Sequence, residues 1–270
     1  MPSNRKSVHT IDLARMKREG QKIVALTAYD ALFGNLVDEA GADIVLVGDS
    51  VNTVLCGEDT TLSATLEQMI YHGRIVRKGV RHSLLIIDMP YLSYQVSTEE
   101  AKRNCGRVLK ETGAEAVKLE GGSAIVETVR ELVAIGIPVM GHVGFTPQSV
   151  HAIGGPRVQG RDASDKKRIV ADAKALADAG AFSIVLELMP SDVAEAVTAS
   201  VDIPTIGIGS GPHCDGQVLV LHDMLGLNDR FSTKFLKRYA ELADTVRDAV
   251  AAFGEEVRSG RYPDEAHSYE

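Results

Sequence analysis

Aromatic residues make up only 5% of this 270-residue chain, and tryptophan is absent. Basic side chains do not outnumber acidic ones: 29 Lys and Arg face 37 Asp and Glu, a formal net charge of −8. No basic, aromatic-interleaved surface of the kind that grips nucleic acid is therefore expected, and the acidity reads as ordinary solubility. Cysteine is scarce too. Cys56, Cys105 and Cys214 are odd in number, far apart and in no CxxC spacing. That argues against a disulfide framework and fits a reducing compartment. No uninterrupted apolar run approaches the roughly 18 residues that mark a membrane span, and the opening stretch "MPSNRKSVHTIDLARMKREG" lacks the apolar segment of a signal peptide. A cytoplasmic location is the expectation. No linker rich in Pro, Gly or Ser divides the chain, so 1–270 is expected to be one domain.

What the chain does have is alternation. Short runs rich in Val, Ile and Leu occur at 22–30, 43–50, 83–90, 115–122, 137–144, 182–190, 203–211 and, more weakly, 217–224. They lack clean in–out alternation, as strands do when both faces are covered. Helical spacing fills 31–41, 65–79, 98–113, 124–136 and 165–180, each stopping at a Gly in the usual way. A weak repeat marks the joins: "EAGADIVLV", "ETGAEAVKL" and "DAGAFSIVL". Each reads helix, Gly-Ala turn, strand, and the Gly supplies the positive φ that a short connection needs. This pattern predicts a (β/α)8 TIM barrel, with an extra helix at 10–19 capping its bottom and a long amphipathic helical segment at 234–260. An open doubly wound sheet competes less well, because no GxGxxG follows the first strand.

Four of the apolar runs end on an acid: "LVGDS" on Asp49, "LLIIDMP" on Asp88, "AVKLEGG" on Glu120 and "SIVLELMP" on Glu187. A buried, unpaired carboxylate is costly. In a TIM barrel the C-terminal strand ends meet at one mouth, where its chemistry is built. Converging like charges repel unless compensated, and the simplest compensation is a divalent cation with a lysine beside it. Carboxylate ligands without a Cys or His cluster suit Mg²⁺ first and Mn²⁺ next. Asp49 and Asp88 are the expected closest ligands, with Glu120 third, directly or through water. The competing reading makes each acid a helix N-cap.

Lys118 shares a strand face with Glu120 and is either a binder of a substrate carboxylate or a structural counter-charge. His142 ends the fifth strand, as a donor to a substrate oxygen or as a core histidine. Ser50 can donate through its hydroxyl. "GIGSG" at 207–211 is a phosphate loop or simply a tight turn. The Gly-rich segment 143–163 has the length of a lid over the mouth.

Taken in order, "TAYD" (27–30), "LVGDS" (46–50), "DMP" (88–90), "VKLEGG" (117–122), "GHVGFTPQ" (141–148), "GGPRVQGR" (154–161), "LELMP" (186–190), "VLHDMLG" (220–226) and "YPDEAHSY" (262–269) resemble the ketopantoate hydroxymethyltransferase family over nearly the whole chain. The resemblance implies a (β/α)8 barrel that transfers a hydroxymethyl group from 5,10-methylenetetrahydrofolate to 3-methyl-2-oxobutanoate. The product is 2-dehydropantoate, on the way to pantothenate, and the reaction runs through a Mg²⁺-stabilised enolate. It puts Asp49, Asp88 and Glu120 at metal positions and Ser50, Lys118 and His142 at substrate positions. Glu187 becomes the proton acceptor, and the assembly a homo-oligomer, commonly a decamer. One departure follows "GDS". The family usually has an aliphatic residue, a small residue and Met there, whereas this chain has Val51, Asn52 and Thr53. Two rivals remain at this level. One is a Mg²⁺-dependent 2-oxo acid lyase or mutase of the isocitrate lyase and phosphoenolpyruvate mutase group, whose lyases commonly carry a "KKCGH"-type loop that this chain lacks. The other is a non-catalytic metabolite-binding barrel.

Overall fold

Eight parallel strands close on themselves in a computed structural model that describes residues 5–229 and 231–269. They are β1 (Ile23–Thr27), β2 (Ile44–Val47), β3 (Leu84–Asp88), β4 (Ala116–Glu120), β5 (Val139–Gly144), β6 (Ser183–Glu187), β7 (Thr205–Ile208) and β8 (Gly216–Leu219). Each pairs with its successor, and β8 returns to β1 with Val218 opposite Ala25. Eleven α-helices are described: α1 (Thr10–Glu19), α2 (Ala31–Glu39), α3 (Val51–Val54), α4 (Leu66–Gly79), α5 (Thr98–Thr112), α6 (Val126–Ala134), α7 (Val150–Ile153), α8 (Ala163–Asp178), α9 (Ser191–Ser200), α10 (Leu221–Met224) and α11 (Leu242–Arg258).

The chain divides into two compact units, one running to Val220 and holding every strand, the other starting at Leu221. In the first, alternate strand residues point inward. Ile23, Ile44, Leu84, Ala116 and Ile206 meet in one buried cluster at the N-terminal strand ends, and Leu13 of α1 lies among them, fully buried. The helix at 10–19 thus closes the bottom, as its spacing predicts. Burial of a leucine in this way stabilises by about 2 kcal/mol. The repeat at the joins is also structural: Gly41, Gly113 and Gly180 take φ of 96°, 74° and 98°.

Three expectations need correction. The run 217–224 is not one strand: β8 ends at Leu219 and 221–224 is the short helix α10. Its His222 and Asp223 interrupt the apolar pattern, so only the first half can line a sheet. No helix separates β7 from β8 among the described residues, so strand–helix alternation fails there. The intervening "GSGPHCD" is too short and too rich in Gly and Pro to form one. Residues 234–241 lie outside α11, which begins only at Leu242. α11 is amphipathic as expected, with Val246, Val250, Phe253 and Val257 one or two turns apart and all exposed. Among the described residues, no helix is long and apolar enough to cross a membrane. Cys56, Cys105 and Cys214 are all unpaired.

Candidate active site

Moving up each strand, the inward positions change chemistry. On β3 they run Leu84, Ile86, Asp88, and on β4 Ala116, Lys118, Glu120. On β5 they run Met140, His142, and on β6 Ser183, Val185, Glu187. The apolar residues form the floor. The polar ones line a cavity of about 120 Å³, joined by Asp49 and Ser50 from the turn after β2. All seven candidate residues therefore share one pocket, at the strand ends where barrel chemistry is built.

None of the four acids caps a helix through its side chain. That task falls to Asp30, Thr65, Ser97 and Asp162. Asp49, Asp88, Lys118, Glu120 and His142 are all buried. Lys118 Nζ lies 2.9 Å from Asp88 Oδ1 and 3.2 Å from His142 Nδ1. His142 Nδ1 is 3.6 Å from Glu120 Oε1, and its Nε2 is 3.1 Å from Glu187 Oε2. Neither Asp88 Oδ1 nor His142 Nε2 has a well-directed hydrogen bond, so the Lys118–Asp88 and His142–Glu187 approaches are chiefly charge contacts.

The electrostatics follow from crowding. Burial, then the charges of Glu120 and Asp88, push the Asp49 carboxyl well above the usual range. Burial also raises Asp88, against the opposing pull of Lys118. For Glu120, burial is outweighed by His142, Lys118 and the Gln148 backbone, and its pKa falls. Burial disfavours the Lys118 ammonium, but Asp88, Glu120 and Asp49 together hold it charged well above its ordinary value. Burial and Lys118 oppose charge on His142, yet Glu120 and Glu187 raise it to about 9.

Two residues without a role assigned from sequence hold these acids. The Gln148 side-chain amide donates to Asp49 Oδ2 at 3.0 Å and to the Met89 carbonyl at 2.9 Å, while its backbone N–H donates to Glu120 Oε2 at 2.9 Å. Tyr94 accepts from the Glu120 N–H at 3.0 Å, and its hydroxyl lies 2.8 Å from both Gln148 Oε1 and the Glu120 carbonyl oxygen. Gln148 stands inside "GHVGFTPQ", where it reads as a loop residue, so the only available signal was its place in that motif. The segment 143–163 thus contributes to the cavity wall through Pro147 and sends Gln148 into the acid cluster.

Elsewhere the details sort the remaining alternatives. Ser50 Oγ is 2.8 Å from the Tyr29 hydroxyl, which comes from "TAYD". "GIGSG" is a tight turn: Gly209 and Gly211 take φ of 64° and 81°, and the buried Ser210 hydroxyl faces Cys214. Asn52, in the departure after "GDS", donates to the Thr60 carbonyl at 3.0 Å and to Ser63 Oγ at 2.8 Å. It thereby holds the loop that brings Thr61 to the cavity. Gly144, at φ 96°, lets β5 approach β6, because a Cβ there would sit 2.2 Å from the Glu187 carbonyl oxygen.

The donor set suits a hard divalent cation. Four carboxylates face one lysine and one histidine, so with every group ionised the acids outnumber the bases by two. Burial and this crowding push Asp49 and Asp88 up, and a cation would relieve the crowding. Asp88 also presents an oxygen without a directed hydrogen bond. Among the described residues, no group of three or more His, Cys, Asp or Glu side chains is disposed to hold a metal on its own. Mg²⁺ does not require one, since it commonly takes one or two protein carboxylates and fills its shell with water and substrate.

Comparison with known proteins places this geometry in context. Solved structures with a similar fold include phosphonopyruvate hydrolase in complex with oxalate and Mg²⁺ (TM-score 0.61, 14% identity, 97% of this chain and 92% of that one). Another is 2,3-dimethylmalate lyase, a member of the phosphoenolpyruvate mutase and isocitrate lyase superfamily (TM-score 0.60, 17% identity, 96% and 91%). At such identities the likeness is one of fold alone. Much nearer in sequence is a 3-methyl-2-oxobutanoate hydroxymethyltransferase from Pelobacter propionicus, 55% identical over 269 residues and covering 100% of both chains. Enzymes of the same name from Carboxydothermus hydrogenoformans (52%, covering 95% of this chain and 93% of the relative) and Geobacter metallireducens (50%, 98% and 99%) agree. The family model described as ketopantoate hydroxymethyltransferase matches residues 7–265, and this chain belongs to that family.

Proposed function

We propose that this enzyme transfers a hydroxymethyl group from 5,10-methylenetetrahydrofolate to 3-methyl-2-oxobutanoate, giving 2-dehydropantoate for pantothenate synthesis. The observation that carries the reading is the convergence of Asp49, Asp88, Lys118, Glu120, His142 and Glu187 on one cavity, in a chain 55% identical end to end to an enzyme named for that activity. A lyase or mutase reading shares the barrel but has only distant relatives behind it, at 14–17% identity.

The chemical task is to remove a weakly acidic proton from C3 of a 2-oxo acid and join that carbon to a one-carbon unit. Asp49 and Asp88 would hold Mg²⁺, with Glu120 contributing through water. When bound, the cation supplies Lewis-acid stabilisation to negative charge developing on the keto oxygen. Lys118 has three donors. Its ammonium, 2.9 Å from Asp88 Oδ1 and 3.2 Å from His142 Nδ1, would hold the substrate carboxylate. Ser50, steadied by Tyr29, offers a further hydroxyl. Glu187 takes the C3 proton, oriented by His142 Nε2 at 3.1 Å. Water releases the one-carbon unit from the folate as formaldehyde, breaking both C–N bonds and leaving tetrahydrofolate. The freed C3 attacks it, and the resulting alkoxide takes back the proton held by Glu187 to become the hydroxymethyl group. The three unpaired cysteines support a cytoplasmic setting, and the family likeness extends the proposal to a homo-oligomer, commonly a decamer.

The test is C3 proton exchange in D₂O. Glu187→Gln should slow exchange by about 10²- to 10⁴-fold, the usual worth of a positioned base, while 3-methyl-2-oxobutanoate still binds in the presence of Mg²⁺. Exchange at the wild-type rate would remove Glu187 from the role.

A further inference from the structure

The catalytic cavity, at about 120 Å³, is matched to a small oxo acid. Sites for ligands several times that size typically occupy roughly 300–1,000 Å³. The folate co-substrate named above is such a ligand, and it carries a glutamyl tail with at least two carboxylates. Its bulk must lie outside the acid cluster, and a chain of like charges offers nothing to a polyanionic tail.

A second concavity meets these demands. It measures about 680 Å³ and is lined by Arg157, Val158, Gln159, Arg161 and Leu188, with Asp162 and Asp165 on one side. Leu188 directly follows Glu187, so one end of the groove adjoins the proton acceptor along the chain. The join is rigid: the Gln159 N–H donates to the Leu188 carbonyl at 2.9 Å, and the Leu188 N–H donates to Ile208 at 2.9 Å. Leu188 stands at φ 50°, a conformation unfavourable for a leucine, between these two bonds.

The charges in the groove are unequal in availability. Asp162 accepts from Ser164 Oγ at 2.6 Å and from the Asp165 N–H at 2.8 Å as the cap of α8. Asp165 accepts from Arg168 Nε at 3.0 Å and from the Gly160 N–H. Both acids are thus committed to donors of their own. Arg157 and Arg161 are exposed and enter no ion pair or side-chain hydrogen bond described for this structure. Guanidinium groups bind carboxylates in two-pronged fashion. This groove offers two uncommitted arginines, and its lining residue Leu188 is the next residue after Glu187.

We propose that this groove, with Arg157 and Arg161 as its anchors, binds the glutamyl carboxylates of the folate co-substrate. The inference rests on the proposed activity and adds a site to it. It requires tail carboxylates to contribute to affinity without touching the chemistry at C3.

The test compares wild type with the Arg157→Gln, Arg161→Gln double variant, using 5,10-methylenetetrahydrofolate with one and with three glutamates. The arginines are exposed and have no side-chain hydrogen bond or ion pair among the described residues, so the variant should fold. The expected result is a KM for the triglutamate raised at least tenfold and a smaller rise for the monoglutamate. The KM for 3-methyl-2-oxobutanoate and the folate-free C3 exchange rate should stay at wild-type values. An Arg157→Lys, Arg161→Lys pair should recover part of the loss. Unchanged KM values for both folates would overturn the groove, as would a slowed C3 exchange, which would mark the arginines as supports of Glu187. Absence of product from the wild type with either folate would instead remove the proposed activity, so the two failures are distinct.

Discussion

Asp38 and Asp49 are both buried aspartates, placed at opposite ends of the same barrel and treated in opposite ways. Asp38 closes α2 at the bottom, just outside the start of β3. It accepts hydrogen bonds from the backbone N–H groups of Arg81, His82 and Ser83 at 3.1, 3.0 and 2.6 Å, and from Ser83 Oγ at 2.7 Å. Burial alone would raise its pKa, but these donors outweigh it and lower the pKa below the usual range. Asp49, at the mouth, receives one side-chain hydrogen bond, from Gln148. It faces Glu120 and Asp88, and its carboxyl is pushed well up. The chain can satisfy a buried acid fully where the acid holds elements together. At the mouth it leaves charge unsatisfied, and an unsatisfied charge is what a ligand can complete.

The sharpest break of this comparison is Asp49→Asn. Turnover should fall by about 10³-fold, roughly 4 kcal/mol of transition-state stabilisation. The metal-free protein should keep its stability or gain about 1 kcal/mol in urea unfolding, because one of several like charges is gone. A loss of stability would place Asp49 with Asp38 and end the contrast. Asp38→Ala should do the reverse. Leaving several buried donors unpaired should cost about 3 kcal/mol in the same titration, with kcat within about twofold of wild type. The pH dependence has a definite sign. The folded Asp38 carboxyl titrates below its unfolded value, so its stabilisation is complete above the ordinary aspartate range. It is lost as pH falls through the lowered folded value, and Asp38→Ala should flatten that acid limb. The smallest effect belongs to Gln148→Ala, which leaves Asp49 in place but frees it to move. Calorimetry should show Mg²⁺ affinity down by about tenfold, near 1.4 kcal/mol, as is usual when a residue orienting a metal ligand is removed. An unchanged affinity would separate Gln148 from metal binding.

Strands β2 to β7 were legible because each is covered on both faces and reads as an apolar run. The acids at 49, 88, 120 and 187 stood out because each ends such a run against its chemistry. Glycine at the helix–strand joins was equally readable, since the turn there leaves no room for choice in φ. What the residues hid was of two kinds. α9 intersperses Ala194, Ala196 and Ala199 among small and polar residues with little amphipathic contrast, and β8 shares its apolar stretch with α10, so neither boundary carries a local signal. Gln148 and Tyr94 are polar residues on connecting segments, and only three-dimensional closure turns them inward. Asp38 was missed for a related reason: on α2 it looks like a solvent-facing acid, and its partners lie 43–45 residues ahead.

The contact between Gln148 and Asp49 spans 99 positions of chain, and the same glutamine also reaches Glu120. One residue, through its side chain and its backbone N–H, therefore acts as a keystone across nearly half of the ring. A fragment that stopped after β4 would carry Asp49, Asp88, Lys118 and Glu120 without the Gln148 bridge between Asp49 and Glu120. During refolding, helical signal can recover piecemeal, whereas activity has to wait until distant parts of the ring have met. The delay between the two signals, followed in a single stopped-flow experiment, would time the arrival of that keystone.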